Sequence, residues 1–291
     1  MNEIKLQTIV TPDEPSTVFS SESVISGVGS CFSQNVLGHL YECGMNVTQN
    51  PNGIIYNTHS IYEALKRVVN NELYKDEEFF DFNGKWHSWR HHGMFSNSDL
   101  NQAVEGANQS LADFRAALSQ SDLFFMTPSS SVVYEYTAEN RIVANCHKVP
   151  NNQFASRLLS VEENYNYLCD TVNLIKSFNP ECLIVMTVSP VRHYPGNLVL
   201  NTRSKANLIA AMQWCLEENE DIVYFPAYEI VLDELRDYRF FKDDMLHPNE
   251  LAQKIIFRRF IETFFDQESI VKIEEAEKQL LSAMHRPKTE S

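Results

Sequence analysis

The sequence predicts an α/β fold in which a parallel sheet is covered by helices on both faces. Short apolar segments typical of buried strands alternate along the chain with longer segments of helical periodicity. The clearest strand signal is CLIVMTVSP at 182–190, where Leu, Ile, Val and Met residues precede a Ser-Pro turn. Ligands of such sheets bind at the carboxyl ends of the strands, so we expect functional residues in the segments that follow them.

The individual elements follow from local patterns. A β-branched segment closed by glycines, SVISGVG, predicts the first strand, and CFSQNVLGHLYECG then has helical spacing up to Gly44. The predicted strands are 23–29, 45–50, 122–128, 182–190 and 221–231. The predicted helices are 31–44, 58–73, 97–121, 160–180, 204–219 and the segment after Pro248 up to 265. Two segments, 79–96 with a turn at Asn83-Gly84 and 131–147 with a polar turn, are predicted as hairpins.

The chain shows no internal repeat and no low-complexity linker, which favours a single domain among its 291 residues. We expect this domain to span 23–266. The polar, turn-rich segment 1–22 is predicted as a surface arm, and 267–291 as a charged C-terminal tail that is helical at first.

Composition excludes several functional classes. The formal net charge is −15, with 39 acidic against 24 basic residues, which argues against nucleic acid and anionic membrane surfaces as partners. No segment approaches the roughly 20 apolar residues that cross a bilayer, and the N-terminus lacks a secretory pattern. The six cysteines are scattered without a CxxC pair, which is typical of reduced thiols rather than of disulfides or structural zinc. We therefore expect a cytoplasmic protein without membrane insertion, metal or cofactor.

The strongest local signal for catalysis is DDMLHPNELAQKII near the C-terminus. Asp244 and His247 are spaced i, i+3, so the carboxylate can accept from the imidazole Nδ1–H and leave Nε2 free to take a proton. Alternatively, Asp244 and Pro248 only begin a helix and His247 is a surface residue. The motif alone does not decide between these interpretations.

Two adjacent nucleophile candidates, Ser30 and Cys31, lie where the first predicted strand meets the first helix. A thiol at a helix N-terminus is expected to have a lowered pKa, and an oxyanion there meets backbone N–H donors. Alternatively, Cys31 is a small buried apolar residue and Gly29 is a turn glycine.

The sequence resembles the GSCFA-domain family, a branch of the SGNH/GDSL hydrolase superfamily. The resemblance begins with GSCFSQN at 29–35 and continues, in the family's order, over nearly the whole chain. The other matching blocks are NPNGIIYNTHSIYEAL (50–65), NCHKVPNNQF (145–154), TVSPVRH (187–193), SKANL (204–208) and DDMLHP (243–248). The resemblance implies a three-layer α/β/α, flavodoxin-like fold with an esterase-type site.

The superfamily motif G-D-S-apolar places its nucleophilic serine on Cys31, and its glycine on Gly29. A thiol thus replaces the usual hydroxyl, and Ser30 is the second candidate if the alignment shifts by one residue. The D-x-x-H block of the superfamily falls on Asp244 and His247.

The resemblance also implies an oxyanion hole, for which Gly53 corresponds to the glycine of the second block. The usual G-x-N-D block is missing after the third strand, so Asn145 is the candidate for the amide donor; alternatively, it caps a turn. Arg192 and His193 follow the central strand and are candidates for binding an anionic or sugar-like substrate, or else are solvated. The histidine-rich HSWRHH at 87–92 is not predicted as a metal site, because positions 91 and 92 would point to opposite sides of a strand and no carboxylate lies at ligand spacing.

Together these observations predict an esterase or acyltransferase acting through Cys31 or Ser30, His247 and Asp244 on a small-molecule or glycan ester. The alternative is a catalytically silent module of the same fold that binds an acylated or carbohydrate ligand. The acyl group, the acceptor and the oligomeric state are left open.

Overall fold

The computed structural model describes residues 7–193, 197–219 and 221–284. The strands are β1 Val24–Gly29, β2 Asn46–Gln49, β3 Phe79–Phe82, β4 Lys85–Ser88, β5 Leu123–Thr127, β6 Val132–Tyr136, β7 Arg141–Val143, β8 Phe154–Leu158, β9 Leu183–Met186 and β10 Ile222–Tyr224. The helices are α1 Cys31–Glu42, α2 Thr58–Asn70, α3 Leu100–Leu118, α4 Val161–Phe178, α5 Leu198–Glu218, α6 Ala227–Glu229, α7 Glu250–Phe264 and α8 Gln267–Met284.

The central sheet has the strand order β2-β1-β5-β9-β10, and every neighbouring pair is parallel. The order reverses beside β1, since the chain moves outward to β2 and then returns to the other side of β1 with β5. In open α/β sheets the ligand crevice lies at such a switch point, outside the carboxyl ends of the two strands. The residues that follow β1 and β5 are therefore placed where a site is expected.

Helices cover both faces of this sheet, so the fold has three layers. Alternate strand residues point to opposite faces. Ile25 and Phe125 join a buried cluster with α1, α7 and α8, whereas Phe124 and Met126 join a second cluster with α2, α3, α4 and α5. The predicted parallel sheet with helices on both faces is confirmed.

Gly29 lets β1 turn into α1 beside the neighbouring strand. Its φ of +144° lies in a region that L side chains rarely adopt, and a Cβ atom there would lie 2.4 Å from the carbonyl oxygen of Thr127. The next residue donates its backbone N–H to that same oxygen over 3.1 Å, which fixes Ser30 against the end of β5. The start of α1 is thus held at the switch point by backbone contacts.

Several elements differ from the sequence predictions. The helix expected at 204–219 begins at Leu198, and the 131–147 hairpin gains β8 as a third antiparallel strand. The charged tail, predicted to be helical at first, contains α8, and this helix packs on the domain rather than standing apart from it. Ile273 is fully buried, and Glu277 Oε1 lies 2.7 Å from His39 Nε2, so this helix extends the core on the α1 side.

The hairpin predicted at 79–96 is present as β3 and β4, with Asn83 and Gly84 both at positive φ in its turn. In the described parts of the chain, no helix is both long and apolar enough to cross a membrane.

Candidate active site

The structure separates the two nucleophile candidates by accessibility. Ser30 is fully buried, and its Oγ has no hydrogen-bond partner among the described residues. It occupies the N-cap position of α1, yet its side chain does not cap the helix. Cys31, the first residue of α1, is only partly buried. Of the two side chains, Cys31 is the one a substrate can reach.

The pKa of the Cys31 thiol is raised, mainly because burial penalises the charged thiolate. The backbone N–H groups of Cys31 and Phe32 and the charges of Lys205 and Lys242 lower it, but they do not offset burial. The expectation of a lowered pKa at this helix N-terminus is therefore wrong. The resting thiol is protonated near neutral pH and needs a base before it can attack.

A suitable base lies in the loop between β10 and α7. Asp244 Oδ2 lies 2.7 Å from His247 Nδ1, and Asp244 Oδ1 accepts the backbone N–H groups of Leu246 and His247 over 2.8 and 3.0 Å. These contacts lower the pKa of Asp244 to about 2. The side chain of His247 is 40% exposed, and its Nε2 makes no hydrogen bond to any described residue. The spacing of these two residues in the sequence thus gives the predicted carboxylate–imidazole pair.

The loop that holds His247 is joined to the loop that follows β9. The backbone N–H of Arg192 donates to the carbonyl oxygen of Leu246 over 3.1 Å, and its guanidinium lies 4.3 Å from the ring centroid of Phe241. The charge of His247 contributes to lowering the pKa of His193, so the two imidazoles are close. The structure therefore brings Arg192, His193 and His247 to the same edge of the sheet.

His193 is neutral at physiological pH. Burial, followed by the charges of Lys205 and His247, lowers its pKa to about 3. Its Nε2 is hydrogen-bonded to Ser129 Oγ, and its ring packs edge-on against Tyr56 at 4.9 Å. Its imidazole therefore adds no positive charge for an anionic substrate, and a role of His193 in binding a sugar-like substrate stays a prediction.

Lys205 on α5 is a site residue that the sequence did not single out. Its side chain is 1% exposed, and Nζ donates to the carbonyl oxygens of Ser129 and Ser189 over 2.6 and 2.5 Å. The two carbonyls follow β5 and β9, so one ammonium group ties together the loops at the ends of two strands. Burial lowers the pKa of Lys205 to about 7, and the Cys31 thiolate opposes that shift. The SKANL block contained this residue, but only its partners reveal its position.

Gly53 does not have the geometry of an oxyanion donor. Its backbone N–H donates to the Asn50 carbonyl oxygen over 2.8 Å, within a turn. Gly53 has a φ of +74°, and a Cβ atom added to it would lie only 2.5 Å from the Cβ atom of His92. Both facts favour glycine at this position. The expected role of Gly53 is corrected, because its amide is already engaged.

Asn145 lines a cleft beside the switch point together with Tyr56, Ser130 and His193. Its Oδ1 accepts the backbone N–H of His147 over 2.8 Å, as in a turn cap. Its Nδ2 has no partner among the described residues, so the side chain still offers a donor to the cleft. The thiolate of Cys31 contributes to raising the pKa of Tyr56, which indicates that this cleft adjoins the thiol.

The histidine-rich segment 87–92 borders Gly53 and the turn that contains Asn145. A Cβ atom on Gly53 would contact His92, and His87 Nδ1 lies 3.2 Å from Nδ1 of His147, whose backbone N–H bonds to Asn145. His91 and His92 follow β4 in a turn rather than pointing to opposite sides of a strand, which corrects that expectation. The His91 ring is buried against Tyr74, Phe79 and Phe95. Within the described ranges, no group of three or more His, Cys, Asp or Glu residues could hold a metal ion.

Comparison with known proteins gives a family and several similar structures. The sequence model of the GSCFA family matches residues 24–260. None of the curated proteins compared with this chain matches it.

Three solved structures are similar to this chain at low identity. A protein provisionally described as a platelet activating factor from Streptococcus pneumonia has 11% identity and a TM-score of 0.44, over 83% of each chain. A carbohydrate esterase family 3 structure from Talaromyces cellulolyticus has 10% identity and a TM-score of 0.38, over 87% of this chain and 98% of that one. The acetyl xylan esterase Est2A from the rumen bacterium Butyrivibrio proteoclasticus has 8% identity and a TM-score of 0.42, over 84% of this chain and 63% of that one.

Proposed function

The chain belongs to the GSCFA family, and we propose that it is an ester hydrolase or acyltransferase that uses Cys31 as its nucleophile. The single observation that carries this proposal is the 2.7 Å contact between Asp244 and His247, in a loop whose Lys242 acts electrostatically on Cys31. A carboxylate, an imidazole and a nucleophile in this relation are the recurring elements of acyl-transfer sites.

In the first step, the Cys31 sulfur attacks the carbonyl carbon of the ester while His247 Nε2 accepts the thiol proton. The C=O electron pair moves to the oxygen, which gives a tetrahedral oxyanion. When this intermediate collapses, the bond to the alcohol breaks, and His247 returns the proton to the leaving oxygen. The products of this half-reaction are a thioester at Cys31 and the free alcohol.

The oxyanion is stabilised by donors that already face the sulfur. The N–H groups of Cys31 and Phe32, in the first turn of α1, have no intrahelical acceptor and point towards Sγ. Asn145 Nδ2, unbonded among the described residues and lining the adjoining cleft, is the proposed third donor.

The thioester then transfers its acyl group to water or to another acceptor. Amines and alcohols attack a thioester more readily than an oxygen ester, so a sugar hydroxyl is an acceptor that competes with water. We therefore include acyl transfer, with an O-acylated glycan as one candidate substrate or product, in the proposal. A cytoplasmic location belongs to this proposal as well.

A catalytically silent module that binds an acylated or carbohydrate ligand is the second candidate. The raised pKa of Cys31 favours it, and so does the absence of a hydrogen bond between Cys31 and His247 among the described contacts. This candidate keeps the cleft beside Tyr56 and Asn145 but assigns no turnover to the thiol.

The two candidates are distinguished with a panel of short-chain aryl esters. We expect turnover that is lost in Cys31→Ala and retained in Ser30→Ala, because the Ser30 hydroxyl is fully buried. A matched change at Cys43, a partly buried thiol at the far end of α1, is the control for cysteine loss. Absence of turnover with every ester, or loss in Ser30→Ala instead, would overturn Cys31 as the nucleophile.

A further inference from the structure

We propose that the substrate carries an anionic group, with carboxylate or phosphate oxygens, that binds Arg192 and Lys242 beside Cys31. This inference rests on the proposed function, because it concerns the substrate of the same site.

The guanidinium of Arg192 is held in place without a carboxylate. It lies 4.3 Å from the ring centroid of Phe241 and 5.6 Å from that of Tyr238. The backbone of Arg192 is fixed by its bond to Leu246 in the loop that contains the catalytic pair. Stacking on aromatic rings leaves the in-plane N–H donors of an arginine free. A planar guanidinium fixed in this way matches the fork of a carboxylate or a phosphate.

Several arginines elsewhere in this acidic chain do bind carboxylates. Arg67 pairs with Glu78 at 2.6 Å, Arg157 with Glu163 at 2.7 Å and Arg259 with Glu234 at 3.0 Å. Among the described residues, no carboxylate oxygen lies within 4.0 Å of the Arg192 guanidinium. Arg115 likewise stacks on a ring, that of Phe178, and makes no ion pair with a described carboxylate. What distinguishes Arg192 is that its backbone bonds to the loop that contains His247.

Lys242 is a second cation, in the loop that holds His247. Its side chain is exposed, and its backbone N–H donates to the carbonyl oxygen of His247 over 2.8 Å. No described carboxylate pairs with its ammonium group, although Asp243 and Asp244 follow it directly. Asp244 is engaged by His247 and two backbone N–H groups, whereas Asp243, next to Lys242, makes no hydrogen bond to a described residue.

The buried ammonium group of Lys205 also acts electrostatically on Cys31. Lys205 is fully occupied by its carbonyl partners and cannot itself bind a ligand. It adds positive potential at the thiol, in the direction that favours an anion. The carbon that Cys31 attacks would therefore be held near an anion bound by Arg192 and Lys242.

The first test compares two alkylating reagents of similar size on the full chain, iodoacetate and iodoacetamide. In both, the Cys31 sulfur displaces iodide from carbon, so only the charge of the reagent differs. Peptide mass spectrometry follows each cysteine separately, and Cys43 is the internal reference because Glu42 and Glu277 place negative charge beside it. We expect the ratio of iodoacetate to iodoacetamide rates to be about 5-fold higher at Cys31 than at Cys43, and to fall at high salt.

Arg192→Gln and Lys242→Gln should each lower that ratio at Cys31, whereas Arg141→Gln, which removes a surface cation paired with Glu139, should leave it unchanged. An equal ratio at Cys31 and Cys43, or a ratio unaffected by both variants, would overturn the proposal. This test needs no ester turnover, so its result stands whether or not the proposed esterase activity is found.

A second measurement applies if Cys31 reacts with neither reagent. Sodium succinate and sodium phosphate are compared with sodium chloride at matched ionic strength for their effect on the Tm of the protein. We expect one of the two anions to raise the Tm, which also distinguishes carboxylate from phosphate, and the Arg192→Gln/Lys242→Gln double variant to lose that increase. If neither anion raises the Tm of the unaltered chain above that in chloride, no anion site exists here.

Where turnover is found, two pairs of substrates are compared. The first pair is an aryl hemisuccinate and an aryl butyrate. The second pair is an aryl butyrate and the butyrate ester of a carboxylated phenol. The first pair places the anion on the acyl group and the second places it on the leaving group. The arm that shows a kcat/KM advantage of about 5-fold, lost in Arg192→Gln, identifies the side of the substrate that carries the charge. An advantage in neither arm contradicts the proposal.

Discussion

Asp244 holds His247 by two different routes. Its Oδ2 lies 2.7 Å from the imidazole Nδ1, while its Oδ1 accepts the backbone N–H groups of Leu246 and His247 itself. One carboxylate thus fixes both the turn and the ring that the turn presents. Because Nδ1 must be the protonated nitrogen in this arrangement, Nε2 is left as an acceptor, which is what a general base requires.

This relationship predicts the effect of Asp244→Asn. The asparagine Oδ1 can still accept the two backbone N–H groups, but an amide Nδ2 then faces His247 Nδ1 and donates to it. The ring is forced into the tautomer that carries its proton on Nε2, and the base is lost. We expect kcat/KM for an aryl ester to fall by about 100-fold or more, with little change in Tm.

A suitable control for that variant is Asp237→Asn, which changes a nearby exposed carboxylate that also accepts a backbone N–H. Its activity should stay within about 2-fold of the unaltered chain. Full activity in Asp244→Asn would show that the carboxylate–imidazole pair only shapes the loop.

The raised pKa of Cys31 predicts how its alkylation depends on pH. Because burial disfavours the thiolate, the rate of reaction with iodoacetamide should keep rising above pH 9.0, the ordinary thiol value, rather than reach a plateau near neutrality. The same cysteine in the urea-unfolded chain should show its inflection at the ordinary value. A plateau below pH 8 in the folded protein would show that the α1 N-terminus and the lysines outweigh burial.

The parts of the site that the sequence predicted are those set by neighbouring residues. The i, i+3 spacing of Asp244 and His247 gives the pair directly, and the glycine-ended strand before Cys31 gives its place at the start of α1. The hydrogen bond of the Gly53 backbone N–H could also have been predicted, because NPNG has the residues of a four-residue turn. In that turn the Gly53 N–H donates to the Asn50 carbonyl oxygen.

The remaining features depend on residues that are distant in sequence. The pKa of Cys31 is raised by packing in a core cluster that includes Val191 and Phe241, neither of which is near it along the chain. The carbonyl partners of Lys205 are 76 and 16 residues away in the sequence. The hydrophobic periodicity of the local sequence therefore cannot predict that this lysine is buried. Local pattern therefore predicted the candidate reacting groups, but tertiary packing sets their protonation.

The tight approach of β1 to β5 predicts a large effect for one glycine. In Gly29→Ala, the new methyl group would lie 2.4 Å from the Thr127 carbonyl oxygen, and the residue would also have to keep a φ of +144°. Backbone cannot yield as a flexible side chain does, so we expect a loss of about 3 kcal/mol or more in the free energy of unfolding. Urea denaturation measures this loss.

Gly44→Ala is the matched control. Gly44 also has a positive φ, +87°, but nothing lies within 4 Å of the position of a Cβ atom there. This change should therefore cost only the conformational strain, about 1 kcal/mol. Equal losses at the two positions would mean that the contact with Thr127 adds nothing.

The buried ammonium group of Lys205 predicts a pH dependence of stability. Its pKa is about 7 in the folded chain against 10.5 as the ordinary value, so between these limits the unfolded chain binds more protons at this residue. The contribution of Lys205 to the free energy of unfolding therefore rises with pH above about 7, by about 1 kcal/mol per pH unit, and levels off near 10.5.

Lys205→Met removes this component while also leaving the Ser129 and Ser189 carbonyls without their donor. Urea denaturation at pH 7, 8 and 9 should thus show a stability difference between the unaltered chain and Lys205→Met that grows with pH. Lys254→Met, on the exposed side of α7, is the control and should give a constant difference. A constant difference for Lys205→Met as well would show that this lysine keeps its proton on folding, so that its two carbonyl partners compensate for the lost hydration of the charge.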